Sequence, residues 1–200
     1  MIRFDKMTEG AQELFRDAQD LLTRYKHNQL DVEHIAMILV STEGIGREIL
    51  QTMGINLDGL VKDLDVVLKD KPSVAGQVGG QIYITPQLQS VVQAAQMEAD
   101  RLHDDYIGTD HLLLAISRTT DPQIRRILGR HQITPEAIYS SLRDVRGEQR
   151  LTDREGEDRY QILKKYSRNL TEMAKRGELD PVIGREEEIR RMEQILSRRR

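Results

Sequence analysis

The sequence predicts an all-α domain built from two copies of one four-helix repeat. Three observations carry this: a self-match at a fixed offset, apolar residues at helical spacing, and capping residues at regular intervals. Thr8 aligns on Thr85 and Leu39 on Ile116, 77 positions on, through Leu14/Val91, Phe15/Val92, Ala18/Ala95, Leu22/Ala99, Tyr25/Leu102 and Leu30/Ile107. Asp31-Val-Glu-His-Ile then faces Gly108-Thr-Asp-His-Leu. After one residue of slippage, Met53-Gly-Ile-Asn-Leu-Asp faces His131-Gln-Ile-Thr-Pro-Glu, and Leu60/Ile138 and Leu64/Leu142 close the match. The copies span about 7–69 and 84–146.

The first helix of each copy shows steps of three and four: Ala11, Leu14, Phe15, Ala18, Leu22, Tyr25, and Leu88, Val91, Val92, Ala95, Ala99, Leu102. The second (Ile35–Val40, Leu112–Ile116) is apolar nearly all round, so it belongs at the centre with the other three helices around it. Starts are marked by Thr85-Pro86, Asp121-Pro122 and Thr134-Pro135, where a capping oxygen precedes a proline; Thr8 and Thr109 read as caps without proline. One copy of about 60 residues is marginal alone, so both are expected in one pseudo-twofold domain, 1–146. A Gly-rich connection, 70–81, joins them. Residues 147–158 are charged at 7 of 12 positions with one apolar residue, which predicts a flexible linker. From 159 a helical pattern resumes (Tyr160, Leu163, Tyr166, Leu170), an extended Leu179–Gly184 follows, and a last amphipathic helix runs through Ile189, Met192, Ile195 and Leu196. These residues, 159–200, have too few apolar anchors for a domain and read as the start of one.

Composition narrows the function classes. Apolar residues are 38% and charged residues 32%, and no stretch approaches the roughly 20 apolar residues of a spanning helix. No apolar signal segment opens the chain. Cysteine is absent, which excludes disulfides, thiolate catalysis and cysteine-ligated zinc, and fits a cytoplasmic protein. A net charge of −3, no Trp and 4% aromatics offer nothing to nucleic acid. No serine, histidine and acid are grouped as a nucleophilic site. The methionines at 7, 37, 53 and 97 fall on apolar faces and are expected in the core.

The duplicated unit, with Tyr106-Ile-Gly-Thr-Asp-His-Leu-Leu-Leu in its second copy, resembles the N-terminal domain of the Clp family of AAA+ unfoldases. The string from Leu170 to Arg191, LTEMAKRGELDPVIGREEEIRR, resembles the entry to their first ATPase domain. The resemblance implies that Val182, Ile183 and Gly184 lie beside an adenine in an intact parent that binds ATP and Mg²⁺. In such a parent a G-x-x-x-x-G-K-[ST] loop would follow; it does not occur in these 200 residues. The expectation is therefore a piece of a longer ATPase that catalyses nothing itself, holds no cofactor or metal, and is a monomer, while the parent is a homo-hexamer. Arg159–Tyr166 and Thr171-Glu-Met resemble the ClpB disaggregase branch, and Gly108-Thr-Asp-His the ClpC branch that feeds a protease; the longer match favours ClpB.

Partners implied by the resemblance are unfolded or aggregated clients and adaptor proteins, with no nucleic acid and no membrane. ClpB-type domains use a threonine and acids that match Thr8, Asp104 or Asp105, and Asp110; ClpC-type domains use paired glutamates, matching Glu33 and, one methylene shorter, Asp110, for phosphoarginine. Without the resemblance, Glu33 and Asp110 are first-turn acids worth about 0.3–1 kcal/mol each to a helix dipole. Leu102 and Tyr106, with Tyr25 and Ile107, are candidates for an apolar groove at the junction of the copies, or for plain core. His34 and His111 match by duplication, which favours a structural role over a metal. Arg198–Arg200 reads as a solvated helix end. A free-standing adaptor is the competing non-enzymatic function, and the 159–200 segment argues against it.

Overall fold

Thr8 and Thr85 start the two copies in the same way. Their side-chain oxygens accept from the Ala11 N–H (3.1 Å) and the Leu88 N–H (3.2 Å) and so cap two 17-residue helices, α1 (Glu9–Tyr25) and α5 (Pro86–Leu102). The structure, a computed structural model, describes residues 3–73, 82–147, 150–157, 170–175, 177, 179 and 184–197. Copy one continues with α2 (Val32–Ser41), α3 (Ile45–Thr52) and α4 (Leu57–Asp70); copy two with α6 (Thr109–Ser117), α7 (Pro122–Arg130) and α8 (Pro135–Arg146). The fold is all-α, as the periodicity predicts. Even the backbone exceptions repeat: α1 and α5 end on left-handed residues, Lys26 (φ 57°) and His103 (φ 61°). Of the connection 70–81, residues 74–81 lie outside the described residues, as do 158–169, Val182, Ile183 and Arg198–Arg200.

The central pair is α2 and α6. Nine of the ten residues of α2, Val32 to Val40, are buried, and so are Thr109 to Ile116 of α6. The two helices touch each other; α1 and α4 lie on α2, while α5 and α8 lie on α6. The copies then interlock, because α3 packs on α6 and α8, and α4 on α7. They also exchange short strands. β1 (Gln29–Leu30) pairs in parallel with β2 (Tyr83–Ile84), and the equivalent bridge joins Met7 to Ile107. Thus the lead-in of each copy pairs with the loop before the buried helix of the other, through Thr85 N–H to the Leu30 carbonyl and Thr8 N–H to the Ile107 carbonyl, both 3.0 Å. This is the arrangement of a self-complementary dimer within one chain.

Three expectations are corrected. Gly108, not Thr109, is the cap of α6; Thr109 is its first residue, and its hydroxyl instead accepts from the Gly46 N–H of α3 at 3.2 Å. Met97 is 71% exposed, on the outer face of α5, so it is not core. The linker expectation fails for 150–157, where Leu151 and Glu157 are buried and the Glu9 N–H donates to the Arg154 carbonyl at 2.9 Å. Long-range hydrogen bonds hold what composition suggested would be free. The first compact unit accordingly spans Met1–Leu163 and the second Lys164–Arg200. In the second, α9 (Leu170–Lys175) and α10 (Glu186–Leu196) are short, and α10 leaves Met192, Ile195 and Leu196 exposed. No helix among the described residues is long and apolar enough to cross a membrane.

Candidate functional site

The buried helices start with a shared device. His34 and His111 stand third in α2 and α6, and each Nδ1 accepts the N–H of its cap residue, Asp31 at 3.2 Å and Gly108 at 2.8 Å. The histidine thus does the work of the glutamate in a capping box. An N–H aimed at Nδ1 fixes the neutral Nε2–H tautomer, which donates to His27 Nδ1 (2.9 Å) in copy one and to Asp104 Oδ2 (3.0 Å) in copy two. Both histidines are structural.

Around this frame the structure places the candidate residues unevenly. Thr8 is fully buried as the α1 cap, its hydroxyl donating to the Ile107 carbonyl at 3.4 Å. Asp110 is fully buried and accepts from Arg146 of α8 at 2.6 Å. Asp104 is buried too, and accepts from Arg146, from His111 and from the Leu151 N–H at 2.7 Å. Burial alone would raise the Asp104 pKa, but these donors outweigh it and hold it at about 2. Asp105 is exposed, and its N–H donates to the Leu151 carbonyl at 3.0 Å. Tyr106 is half-buried with the Lys6 ammonium 6.0 Å above its ring, and Leu102 packs, partly buried, on the core. Glu33 is buried on its own side of the domain, 3.1 Å from Lys71, which also reaches Asp31 at 2.7 Å. Burial, then the charge of Asp31, raises the Glu33 pKa. Thr8, Asp104, Asp105 and Asp110 therefore gather at one junction, where α1 meets α6; Glu33 is bound elsewhere, by the cation of its own copy.

Residues absent from the sequence-based candidates complete this junction: Arg146, Leu151, Glu157, Gly10 and Gly108. The sequence holds a signal for the two unmet helix starts, and none for the residues that meet them. Gly108 stands where copy one has Asp31, and Glu9 where copy two has Pro86, so two helix starts lack the local solution that their counterparts possess. Beside the junction, between α1 and the α2–α3 connection, a cleft of about 150 Å³ is lined by Gly10, Glu13, Thr42, Arg47, Thr109 and Glu157 among others. Its pseudo-twofold counterpart, about 310 Å³, lies along Gln87, Ser90, Val91, Thr119 and Thr120. Gly184 adopts φ +76°, which a glycine takes freely. Among the described residues no group of three or more His, Asp or Glu side chains is arranged to hold a metal ion.

Comparison with known proteins matches residues 6–131 to the Clp repeat (R) N-terminal domain family. The chain is 38% identical over 195 residues to chaperone protein ClpB of Bdellovibrio bacteriovorus, covering 96% of this chain and 23% of that protein. It is also 38% identical over 198 residues to ClpB of Bacillus anthracis, covering 98% and 23%. The chain thus spans about a quarter of the length of these relatives. The Hsp104 N-terminal domain of Candida albicans has the same fold, with a TM-score of 0.66 at 20% identity over 76% of this chain and 99% of that one. A ClpV N-domain solved in complex with a VipB peptide superposes with a TM-score of 0.54 at 17% identity, over 68% of this chain and 89% of that one. With two interlocked four-helix repeats and a family match that runs from the first well into the second, this chain belongs to the Clp repeat N-terminal domain family.

Proposed function

We propose that the chain is the module that recruits clients and adaptors for an ATP-driven ClpB-type disaggregase in the cytoplasm. The observation that carries this is the likeness to ClpB chaperones along 96% and 98% of the chain. A tethered module of this kind raises the concentration of unfolded or aggregated proteins near the machine and needs only weak affinity. ATP and Mg²⁺ belong to further domains of a homo-hexameric parent, with the 182–184 stretch beside the nucleotide. The module itself works as a monomer and needs no nucleic acid or membrane. Chemically, the α1–α6 junction offers clients the exposed Asp105 and the half-buried Tyr106 ring.

The test uses the 200-residue chain. It should bind a permanently unfolded, reduced and alkylated model protein and ignore the native form, and it should hydrolyse no ATP above buffer. Asp105→Ala with Tyr106→Ala should weaken that binding at least threefold with the melting temperature nearly unchanged, since neither side chain is core. Equal binding of native and unfolded protein would refute the recruiting role.

A further inference from the structure

The first N–H of an α-helix has no partner within the helix. Four helices begin at two pseudo-twofold-related junctions, α1 and α6 at one, α2 and α5 at the other, and the second pair solves this locally. α5 opens with Pro86, which has no N–H, and α2 opens with Val32, whose N–H donates to the Asp31 side chain at 2.9 Å. Their counterparts have no such residue. The Glu9 N–H of α1 donates to the Arg154 carbonyl, and the Thr109 N–H of α6 to the Glu157 carboxyl, whose second oxygen lies 3.3 Å from the Thr109 hydroxyl. One segment, 150–157, completes both helix starts. Leu151 anchors it, 3% exposed, with its N–H on Asp104 and its carbonyl on the Asp105 N–H.

The space for this segment is built into the copies' differences. A Cβ at Gly10 would come within 2.6 Å of Glu157 Oε2, and one at Gly108 would press on Glu157 Oε1, on Asp110 Oδ1 of α6 itself at 2.5 Å and on Leu151 Cδ1 at 2.7 Å. The equivalent positions carry Gln87 and Asp31. Where copy one fills its helix start with its own aspartate, copy two leaves a hole that a distant glutamate enters. The segment has a single apolar anchor, and its carboxyl faces Asp110. Such a contact is far weaker than the packing of α1 to α8.

We infer that residues 150–157 are a resident, displaceable ligand of the α1–α6 junction, so that this junction takes peptides presenting an aliphatic residue and, six positions on, an acid. Docking stands on the contacts above; displacement by clients rests on the recruiting function already proposed.

Hydrogen exchange on the 200-residue chain tests the docking. In Glu157→Lys the amides of Glu9, Asp105, Thr109 and Leu151 should together lose at least tenfold in protection, while those of α2 keep theirs. The opened variant should then bind a capped peptide of residues 150–157 at least tenfold more tightly than the unsubstituted chain does, and should ignore the same peptide carrying Glu157→Lys. Leu151→Ser supplies a second opened form. If both variants lose α2 protection, or if neither binds the peptide, the segment is an integral part of the fold and the inference falls. A separate arm measures the unfolded model protein. Tighter binding to the opened variants supports competition. Unchanged client binding beside clear peptide binding keeps the docking and overturns the junction as the client surface.

Discussion

His27 and Asp104 hold the same place in the two copies, and each accepts the Nε2 hydrogen of the histidine seven residues on, His34 at 2.9 Å and His111 at 3.0 Å. The duplication kept the geometry and changed the chemistry of the acceptor. In copy one the pair is neutral: burial, then the neighbouring His27, lowers the His34 pKa to about 4, and burial lowers that of His27. An unfolded histidine titrates near 6.5. The unfolded chain therefore binds more protons, and the stability that depends on a neutral pair is present above about 6.5 and lost as pH falls through 4. Urea unfolding at pH 7, 5.5 and 4.5 should show stability falling on the acid side. His27→Asp, which gives copy one the acceptor of copy two, should flatten that fall. An unchanged acid limb would mean that other groups set it.

Arg146 is the counter-ion for two buried carboxylates, Asp104 and Asp110, all three side chains being at most 5% exposed. Removing one partner of a buried pair strands charge in a poor solvent, at about 3–5 kcal/mol. Arg146→Met should therefore melt about 10 °C lower than the unsubstituted chain. A shift of only 1–2 °C would show that water reaches these acids.

The equivalent acids Glu33 and Asp110 should respond differently. Asp110 is held by Arg146 at 2.6 Å, so Asp110→Asn should cost about 3 kcal/mol, well beyond the dipole value expected of a first-turn acid. The charged form of Glu33 is disfavoured by burial and by Asp31, so Glu33→Gln should change stability by less than about 1 kcal/mol. Denaturant midpoints of the two variants decide it; equal losses would contradict the asymmetry.

Docking of 150–157 should tighten on acidification, the reverse of the histidine pair. Burial, then the charge of Asp110, raises the Glu157 pKa from 4.5 to about 8, against the Thr109 donors and His111, with Arg146 of α8 paired to the same Asp110 and Glu13, Glu43 and Arg47 lining the adjoining cleft. The docked form holds the proton, so docking is strongest below about 4.5 and weakens as pH rises through 8. Cleavage at Arg154 by an arginine-specific protease, corrected with a free peptide of the same sequence, should accelerate between pH 6 and 9. Glu157→Gln should remove that dependence. A flat profile in the unsubstituted chain would place the carboxyl in solvent.

The sequence by itself determined the parts of this protein that depend on neighbours in the chain. The repeat, the buried α2 and α6, the threonine and aspartate caps and the proline starts are visible because helical spacing and capping act over three to seven residues. Tertiary structure alone decided the junction. Charge density predicts a free linker for 147–158, yet Leu151, Arg154 and Glu157 find Asp104, Glu9 and Thr109, between 47 and 145 positions away along the chain. No local pattern encodes such a pairing. It exists because folding brings two helix starts with unmet N–H groups, and the holes at Gly10 and Gly108, to one place, where residues 150–157 supply the acceptors.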